Sequence, residues 1–255
     1  MATQHRVDGD LATIAARHGA KAAAEMPVGW GGASPDPTLY PRPPIIVDID
    51  DTLHPWFTIF LELLEERTGK DIDPDAVKSY NLADVLGFSQ EELSEVILET
   101  HYHENQGRSP IYSGARKALR KWHAAGYPIL IATSRPPEAI DSTIKWLQPK
   151  NLPVSILTFV RDKTAYARQR GAVAIIDDRP DVLLSGPPEF VCGAIRQCWH
   201  QSLPESALTE ENLVIADNWQ ELYRRLTPLI EQRSAAICAA RNGKVDAFSG
   251  RREAA

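Results

Sequence analysis

Five short runs of continuous apolar residues recur along the chain: IIVD (45–48), ILIAT (129–133), SILTFV (155–160), VAIID (173–177) and LVIA (213–216). Runs of this length with no polar alternation are those of strands buried on both faces. Helical patterns separate them. ARKALRKWHAAG ends on Gly126 as a helix C-terminus does, PEAIDSTIKWL follows Pro136, and NWQELYRRLTPLI follows a capping Asp217 or Asn218. Strand and helix in alternation imply an α/β fold: a Rossmann-like parallel sheet covered by helices on both faces, with its ligand site at the carboxyl ends of the strands.

Residues 54 to about 112 break the rhythm. WFTIFLELLEERTG places Phe57, Phe60, Leu61 and Leu64 on one helical face, and SQEE at 89–92 has the spacing of a capping box before LSEVIL. The expectation is a small all-helical cap inserted after the first strand, over the strand ends. The expected organisation is an N-terminal arm and Gly/Pro linker (1–42), a core of 43–53 plus 113–231, a helical cap (54–112) and a loose C-terminal tail (232–255). Within the arm, the Ala-rich Leu11–Glu25 stretch suits a helix, whereas GWGGASPDPTLYPRPP cannot continue one.

Bulk properties narrow the function. The net charge of −6 argues against a broad footprint on nucleic acid, so duplex binding is not expected. Cys192, Cys198 and Cys238 are too few and too irregularly spaced for a disulfide framework or a zinc site. With no long apolar span and no signal-peptide core in the sequence, the expected location is cytoplasmic, away from membranes. A homodimer is left open.

Polar residues crowd the strand ends. The first run ends in Asp48, with Asp50 two residues on and Thr52 after it; the second ends in Thr133 and Ser134; Lys163 follows the third; the fourth ends in Asp177 and Asp178. One such aspartate is ordinarily a cap or turn former. Several ends with groups suited to phosphate call for another explanation. Carboxylates held together raise one another's pKa unless a hard cation sits between them, and Mg²⁺ takes such oxygen ligands. With charge offset by the metal and Lys163, one carboxylate can attack a phosphate monoester. The second can give the leaving alcohol a proton and later take one from water. Thr133 would hold a phosphoryl oxygen by its hydroxyl.

Asp48-Ile-Asp50-Asp51-Thr52, Thr133, Lys163 and the Asp177-Asp178 pair resemble, in order, the four motifs of the haloacid dehalogenase-like (HAD) phosphatases. That resemblance implies an aspartyl-phosphate intermediate. Asp48 would be nucleophile and metal ligand, and Asp50 general acid/base with its backbone carbonyl on Mg²⁺. Thr133 and Lys163 would bind the phosphoryl group. One or both of Asp177 and Asp178 would complete the metal site, Asp178 being favoured as the direct ligand. ATSRP, VRDKT and IDDRPD, with the helical insertion, look like the 5'(3')-deoxyribonucleotidases, which implies a small-molecule phosphate monoester, a nucleoside monophosphate, as substrate. By position Trp56 would contact it, unless it only packs the cap. The human-type members have Gly-Val where this chain has Asp51-Thr52, which weakens the transfer of substrate preference. Asp51 has no assigned chemistry.

Arg135 is either a further phosphate ligand or a surface ion pair. Asp181 caps a helix or supports the metal shell, and contacts to a base are expected near SYNLAD (79–84). HYH (101–103) has metal-ligand residue types, but histidines two apart diverge on a helix. The basic pairs at 224–225 and 251–252 read as solvated faces. Two alternatives remain: a polynucleotide 3'-phosphatase, because IDDR and KWL also resemble the phosphatase half of polynucleotide kinase-phosphatases, and a non-catalytic nucleotide-binding relative.

Overall fold

The computed structural model describes residues 24–102, 105, 109–185, 190–208 and 210–249. Among these, seven strands form one sheet: β1 (Ala24–Pro27), β2 (Ile45–Val47), β3 (Ile129–Thr133), β4 (Ile156–Phe159), β5 (Ala174–Ile176), β6 (Val191–Ile195) and β7 (Leu213–Ala216). Their spatial order is β1-β4-β3-β2-β5-β6-β7. All neighbours are parallel except β1, which runs antiparallel to β4. The helices are α1 (Trp56–Thr68), α2 (Leu82–Leu86), α3 (Gln90–Thr100), α4 (Ala115–Ala124), α5 (Ile140–Leu147), α6 (Lys163–Arg170), α7 (Pro180–Ser185), α8 (Glu205–Leu208) and α9 (Trp219–Ser249).

The sheet is the α/β architecture that the apolar runs predict. Strand β2 lies at its centre with Ile45, Ile46 and Val47 fully buried. Side chains alternate across a strand, so Ile45 and Val47 join one core with Leu119 and Trp122 of α4 and Leu222 and Leu226 of α9. Ile46 joins the other, with Tyr166 of α6 and Leu183 of α7. At about 1.5–3 kcal/mol for each fully buried aliphatic side chain, this short strand is held by its faces as much as by its ladder.

After β2 the chain enters α1, α2 and α3, and residues 54–112 contain no strand among those described. Phe57, Phe60, Leu61 and Leu64 of α1 pack with Leu93 and Val96 of α3 and with Trp199. Ser89 and Glu92 form the capping box at the start of α3, with Glu92 Oε2 accepting from Ser89 N at 2.8 Å. No helix among the described residues is long and apolar enough to cross a membrane.

The structure corrects the expected boundaries at both ends. The folded sheet does not begin near Pro43, because β1 lies within the supposed arm and pairs with β4 from Ala24↔Phe159 to Pro27↔Ile156. Glu25 also forms an ion pair with Arg170 of α6. An edge strand tolerates Pro27, which cannot donate to a ladder. The helix expected over Leu11–Glu25 lies outside the described residues up to position 23 and gives way to β1 after it. At the other end α9 runs through the supposed tail to Ser249, with Pro228 inside it. Trp219, Leu222, Leu226 and Ile230 are buried at helical spacing and anchor its first half. Arg251 and Arg252 lie outside the described residues. Strand β6, which the apolar runs do not reveal, completes the sheet; Gly193 at its middle leaves room for Leu222 and Leu226.

The Gly/Pro segment is part of the fold. Val28 N donates to Ser155 O at 2.9 Å and Trp30 N to Val154 O at 2.8 Å, so the segment continues the edge of the sheet. Gly31 has a φ of 61°, and a Cβ there would run into the backbone of Leu152 and Pro153. Replacing it combines left-handed strain with a backbone clash. Gly31→Ala is expected to lower unfolding free energy by about 1–3 kcal/mol, read as a lower urea midpoint at unchanged slope.

Candidate active site

Each strand end delivers one part of a buried polar cluster. Asp48 follows β2 directly, and its N–H still donates to Ile176 O at 2.9 Å. Asp177 follows β5 and donates likewise to Gly193 O at 3.0 Å. Lys163 opens α6, whose first turn is held by the Asp162 side chain accepting from Ala165 N at 2.8 Å. The Lys163 Nζ lies 2.7 Å from Asp48 Oδ1 and 2.8 Å from Asp177 Oδ2, with its side chain almost wholly enclosed. One carboxylate oxygen from each of Asp48, Asp177 and Asp178 lies within 4.8 Å of the others. Three buried carboxylates facing one ammonium carry excess negative charge, and an all-oxygen donor set of this kind suits a hard cation.

The electrostatics follow. Burial pushes the Asp48 carboxyl up to about 7, with Lys163 pulling against it and Asp177 and Asp50 adding to the rise. Burial likewise raises Asp178 well above the usual range, reinforced by Asp177, Asp51 and Asp48. Burial alone would lower the Lys163 ammonium, but its two carboxylates outweigh it and the net direction is upward.

Asp50 stands in a separate group. Its carboxylate accepts from Arg135 Nη2 at 2.6 Å and Arg135 Nε at 2.9 Å, and lies 3.0 Å from His54 Nε2. Burial favours the neutral acid, but the Arg135 guanidinium and the bonds from Arg135 and His54 outweigh it. They hold Asp50 well below the ordinary carboxylate range, although 21% of its side-chain surface is exposed. The surface ion pair entertained for Arg135 is therefore corrected: the side chain is buried, and its Nη1 donates to Thr143 Oγ1 at 3.0 Å. Its terminal nitrogens face Asp50, Thr143 and His54, whose Nε2 lies 3.0 Å from Nη2.

Thr133 is fully buried at the end of β3 and its Oγ1 accepts from Arg135 N at 3.3 Å. Ser134 Oγ donates to Val160 O at 3.3 Å and accepts from Arg179 Nη1 at 3.1 Å. Arg179 is in turn gripped by Asp181 through bonds of 2.6 and 3.0 Å, so Asp181 serves this arginine rather than the carboxylate cluster. Asp51 acts in the fold rather than in the chemistry. With φ 51° it turns its buried side chain to accept from Phe57 N at 3.0 Å. It thereby caps α1, whose N-cap position is Pro55 and offers no side-chain bond.

Sequence reasoning missed His54, four residues after Asp50, and the pair Trp199 and His200. Trp199 Nε1 and His200 Nε2 lie 3.0 and 2.7 Å from the Asp178 carbonyl and fix the loop that carries it. No sequence signal short of the fold itself linked that pair to the site. His101 is buried beside Trp56, at 6.3 Å between rings, and does not join the carboxylate cluster; His103 lies outside the described residues.

A cavity of about 170 Å³ opens between the cap and these loops, lined by Trp56, Phe57, Tyr80, Asn81, Leu93 and Trp199 among others. Residues 80–83 of SYNLAD all border it. Trp56 takes both positions weighed for it: it faces the cavity, and its Nε1 donates to Thr100 Oγ1 at 2.8 Å within the cap. The three cysteines are free.

No protein-family model matches the chain. A Bacillus cereus protein described as "Putative nucleotidase" is 28% identical over 155 residues, which is 55% of this chain and 80% of that one. Among solved structures, a "putative phosphoglycolate phosphatase" from Lactobacillus delbrueckii matches with a TM-score of 0.53 at 16% identity, over 72% of this chain and 98% of the other. A HAD family hydrolase from Deinococcus radiodurans, solved with bound phosphate and sodium, matches with a TM-score of 0.50 at 17% identity, over 74% and 97%. The fold is that of the HAD-superfamily hydrolases. Asp48, Asp50, Thr133, Lys163, Asp177 and Asp178 stand at or just beyond the ends of its strands.

The raised carboxyls have a consequence for stability. Without a divalent cation, folded Asp48 and Asp178 retain protons that the unfolded chain releases near pH 4. The folded state then binds more protons than the unfolded one, so their contribution falls as pH rises from about 4 towards 7. A bound divalent cation favours the ionised carboxylates and opposes that loss. Thermal midpoints with and without chelator are expected to differ more at pH 7 than at pH 5.

Proposed function

We propose that the protein is a Mg²⁺-dependent phosphatase that cleaves a phosphate monoester through an aspartyl-phosphate on Asp48, with a nucleoside monophosphate as substrate. The observation that carries the phosphatase reading is the buried bridge from Lys163 to Asp48 and Asp177, beside Asp178. It offers a nucleophilic oxygen and a fixed positive charge at one point, as phosphoryl transfer requires.

Asp48 and Asp178, with the Asp50 backbone carbonyl, would hold Mg²⁺. Asp177 has both oxygens engaged, by Arg179 N at 3.0 Å and by Lys163, which favours Asp178 as the direct ligand. When bound, the cation offsets the charge of carboxylates and phosphate and orients the transferring group. Asp48 attacks phosphorus as the ester P–O bond breaks, and Asp50, ionised in the free protein, relays to the leaving alkoxide a proton brought in by the substrate monoanion. Water then attacks phosphorus and gives its proton to Asp50, and the acyl-phosphate P–O bond breaks to restore Asp48. Lys163 and the Thr133-Ser134 turn would bind the phosphoryl oxygens.

The nucleotide reading is supported by the aromatic cavity. Trp56, Phe57, Tyr80 and Trp199 supply flat apolar walls, and Trp199 is bonded directly to the Asp178 loop. Tyr80 stands edge-on to Trp199 at 5.8 Å with 44% of its surface exposed, so a base can reach its ring. The "Putative nucleotidase" description of the Bacillus cereus relative agrees with this choice.

Phosphate release from a panel of nucleoside monophosphates tests the proposal. Turnover is expected with Mg²⁺ and should vanish with chelator, and Asp48→Asn should lose more than about 10³-fold in kcat. A full-rate Asp48→Asn enzyme would refute the nucleophile. A 3'-phosphorylated oligonucleotide, assayed alongside, should be the poorer substrate; the reverse order would favour an end-processing phosphatase. Base stacking is worth about 1–3 kcal/mol, so Tyr80→Ala should raise KM for the preferred nucleotide about 5- to 160-fold. It should change KM for a small phosphate ester much less.

A further inference from the structure

We propose that Arg135 and His54 are positioning residues that clamp the Asp50 carboxylate, the group that must exchange protons with the leaving oxygen and with water. This rests on the phosphatase reading above and adds to it the residues that aim its acid/base.

The geometry is that of a dedicated holder. Arg135 presents Nε and Nη2 to the two oxygens of Asp50, at 2.9 Å and 2.6 Å, in the planar fork that arginine forms with carboxylates. Its remaining terminal nitrogen is fixed by Thr143 of α5 at 3.0 Å. His54 lies 3.0 Å from Asp50 Oδ1 through Nε2 and 3.1 Å from Ser109 Oγ through Nδ1. His54 Nε2 also lies 3.0 Å from Arg135 Nη2, so the imidazole, the guanidinium and the Asp50 carboxylate meet at one point. Trp146, also on α5, is the shelf beneath both: its ring lies 4.6 Å from that of His54 and 5.7 Å from the Arg135 guanidinium carbon.

Neither holder is a surface group that met a carboxylate by accident. Both side chains are fully enclosed, and a buried guanidinium is tolerated only when its donors are matched. The carboxylates of Asp48, Asp177 and Asp178 form their own cluster, while Asp50 is turned to this second set of partners. Two carboxylates two residues apart are thus given different neighbours: Asp48 a lysine, Asp50 an arginine and a histidine. A proton donor that must meet one oxygen on the substrate gains from having its rotamer fixed in advance.

The leaving group separates this role from simple structural support. An alkyl phosphate, such as a nucleoside monophosphate, needs a proton on the departing oxygen; p-nitrophenyl phosphate does not. Full-length Arg135→Lys, Arg135→Met, His54→Ala and His54→Gln proteins are compared on both esters by kcat/KM, which reports steps through formation of the phosphoenzyme. For Arg135→Met and His54→Ala the expected loss is about 100-fold on the nucleotide and under about 10-fold on p-nitrophenyl phosphate. His54→Gln, which keeps a donor, should recover most of the nucleotide activity. Thermal melts establish folding, and Arg135→Lys and His54→Gln carry the comparison if the bolder variants unfold. Equal losses on both esters, or a KM effect alone, would overturn the clamp and return Arg135 to phosphate binding or to mere packing. Wild-type protein that turns over neither ester would instead remove the phosphatase reading, and the clamp with it.

Discussion

The ion triplet of Asp48, Lys163 and Asp177 is the constraint on which the rest of the molecule depends. Three charged groups are enclosed together, from the ends of β2 and β5 and the start of α6. Such charges persist in a protein interior only when paired, and removing one partner of a buried pair costs about 3–5 kcal/mol. The sheet must therefore hold β2 and β5 in register, and α6 must begin where its first residue reaches both. Ile45↔Ala174 through Val47↔Ile176 set that register, and the Asp162 cap sets the start of the helix. With Asp178 beside them the charge does not balance, and a divalent cation is the simplest completion of the cluster.

The loop after β2 ties this cluster to the cap. Asp48 faces Lys163, Asp50 faces Arg135 and His54, and Asp51 turns the other way to cap α1. The Asp51 carbonyl also accepts from Gln197 Nε2 at 3.0 Å, two residues before the Trp199 that joins the cap's apolar cluster. Four consecutive residues, 48–51, thus set the partners of two carboxylates and the start of the first helix after β2. The aromatic cavity is lined by residues of this helical segment and by Trp199, whose indole N–H donates to the Asp178 carbonyl.

The main sheet was legible because burial on both faces leaves a plain mark: β2, β3, β4, β5 and β7 are unbroken apolar runs. Strand β6 was not, because Gly193 interrupts its pattern; the glycine is there for Leu222 and Leu226 of α9, which no local window contains. Strand β1 was hidden in an Ala-rich stretch, since an edge strand needs one partner and tolerates Pro27. Helix α9 outran its expected end because RNGKVDAFSGRREAA carries no apolar period, whereas the helix continues to Ser249. At the site, residue types at strand ends exposed Asp48, Asp50, Thr133, Lys163, Asp177 and Asp178. Arg135 and His54 were opaque for the opposite reason. Their partner is set by where α5 and the strand ends meet in space, and an arginine in a sequence says nothing about which carboxylate it will face.

The proposed chemistry places the phosphoryl group on Asp48 during turnover. It is tested most directly by acid-quenching the protein during steady-state hydrolysis of a phosphate monoester that it turns over, then mapping phosphorylated peptides by mass spectrometry. The expected result is one added phosphoryl group on the peptide that contains Asp48, with the lability of an acyl phosphate and absent from Asp48→Asn. A phosphoryl group on any other residue, or turnover with the Asp48 peptide never modified, would contradict it.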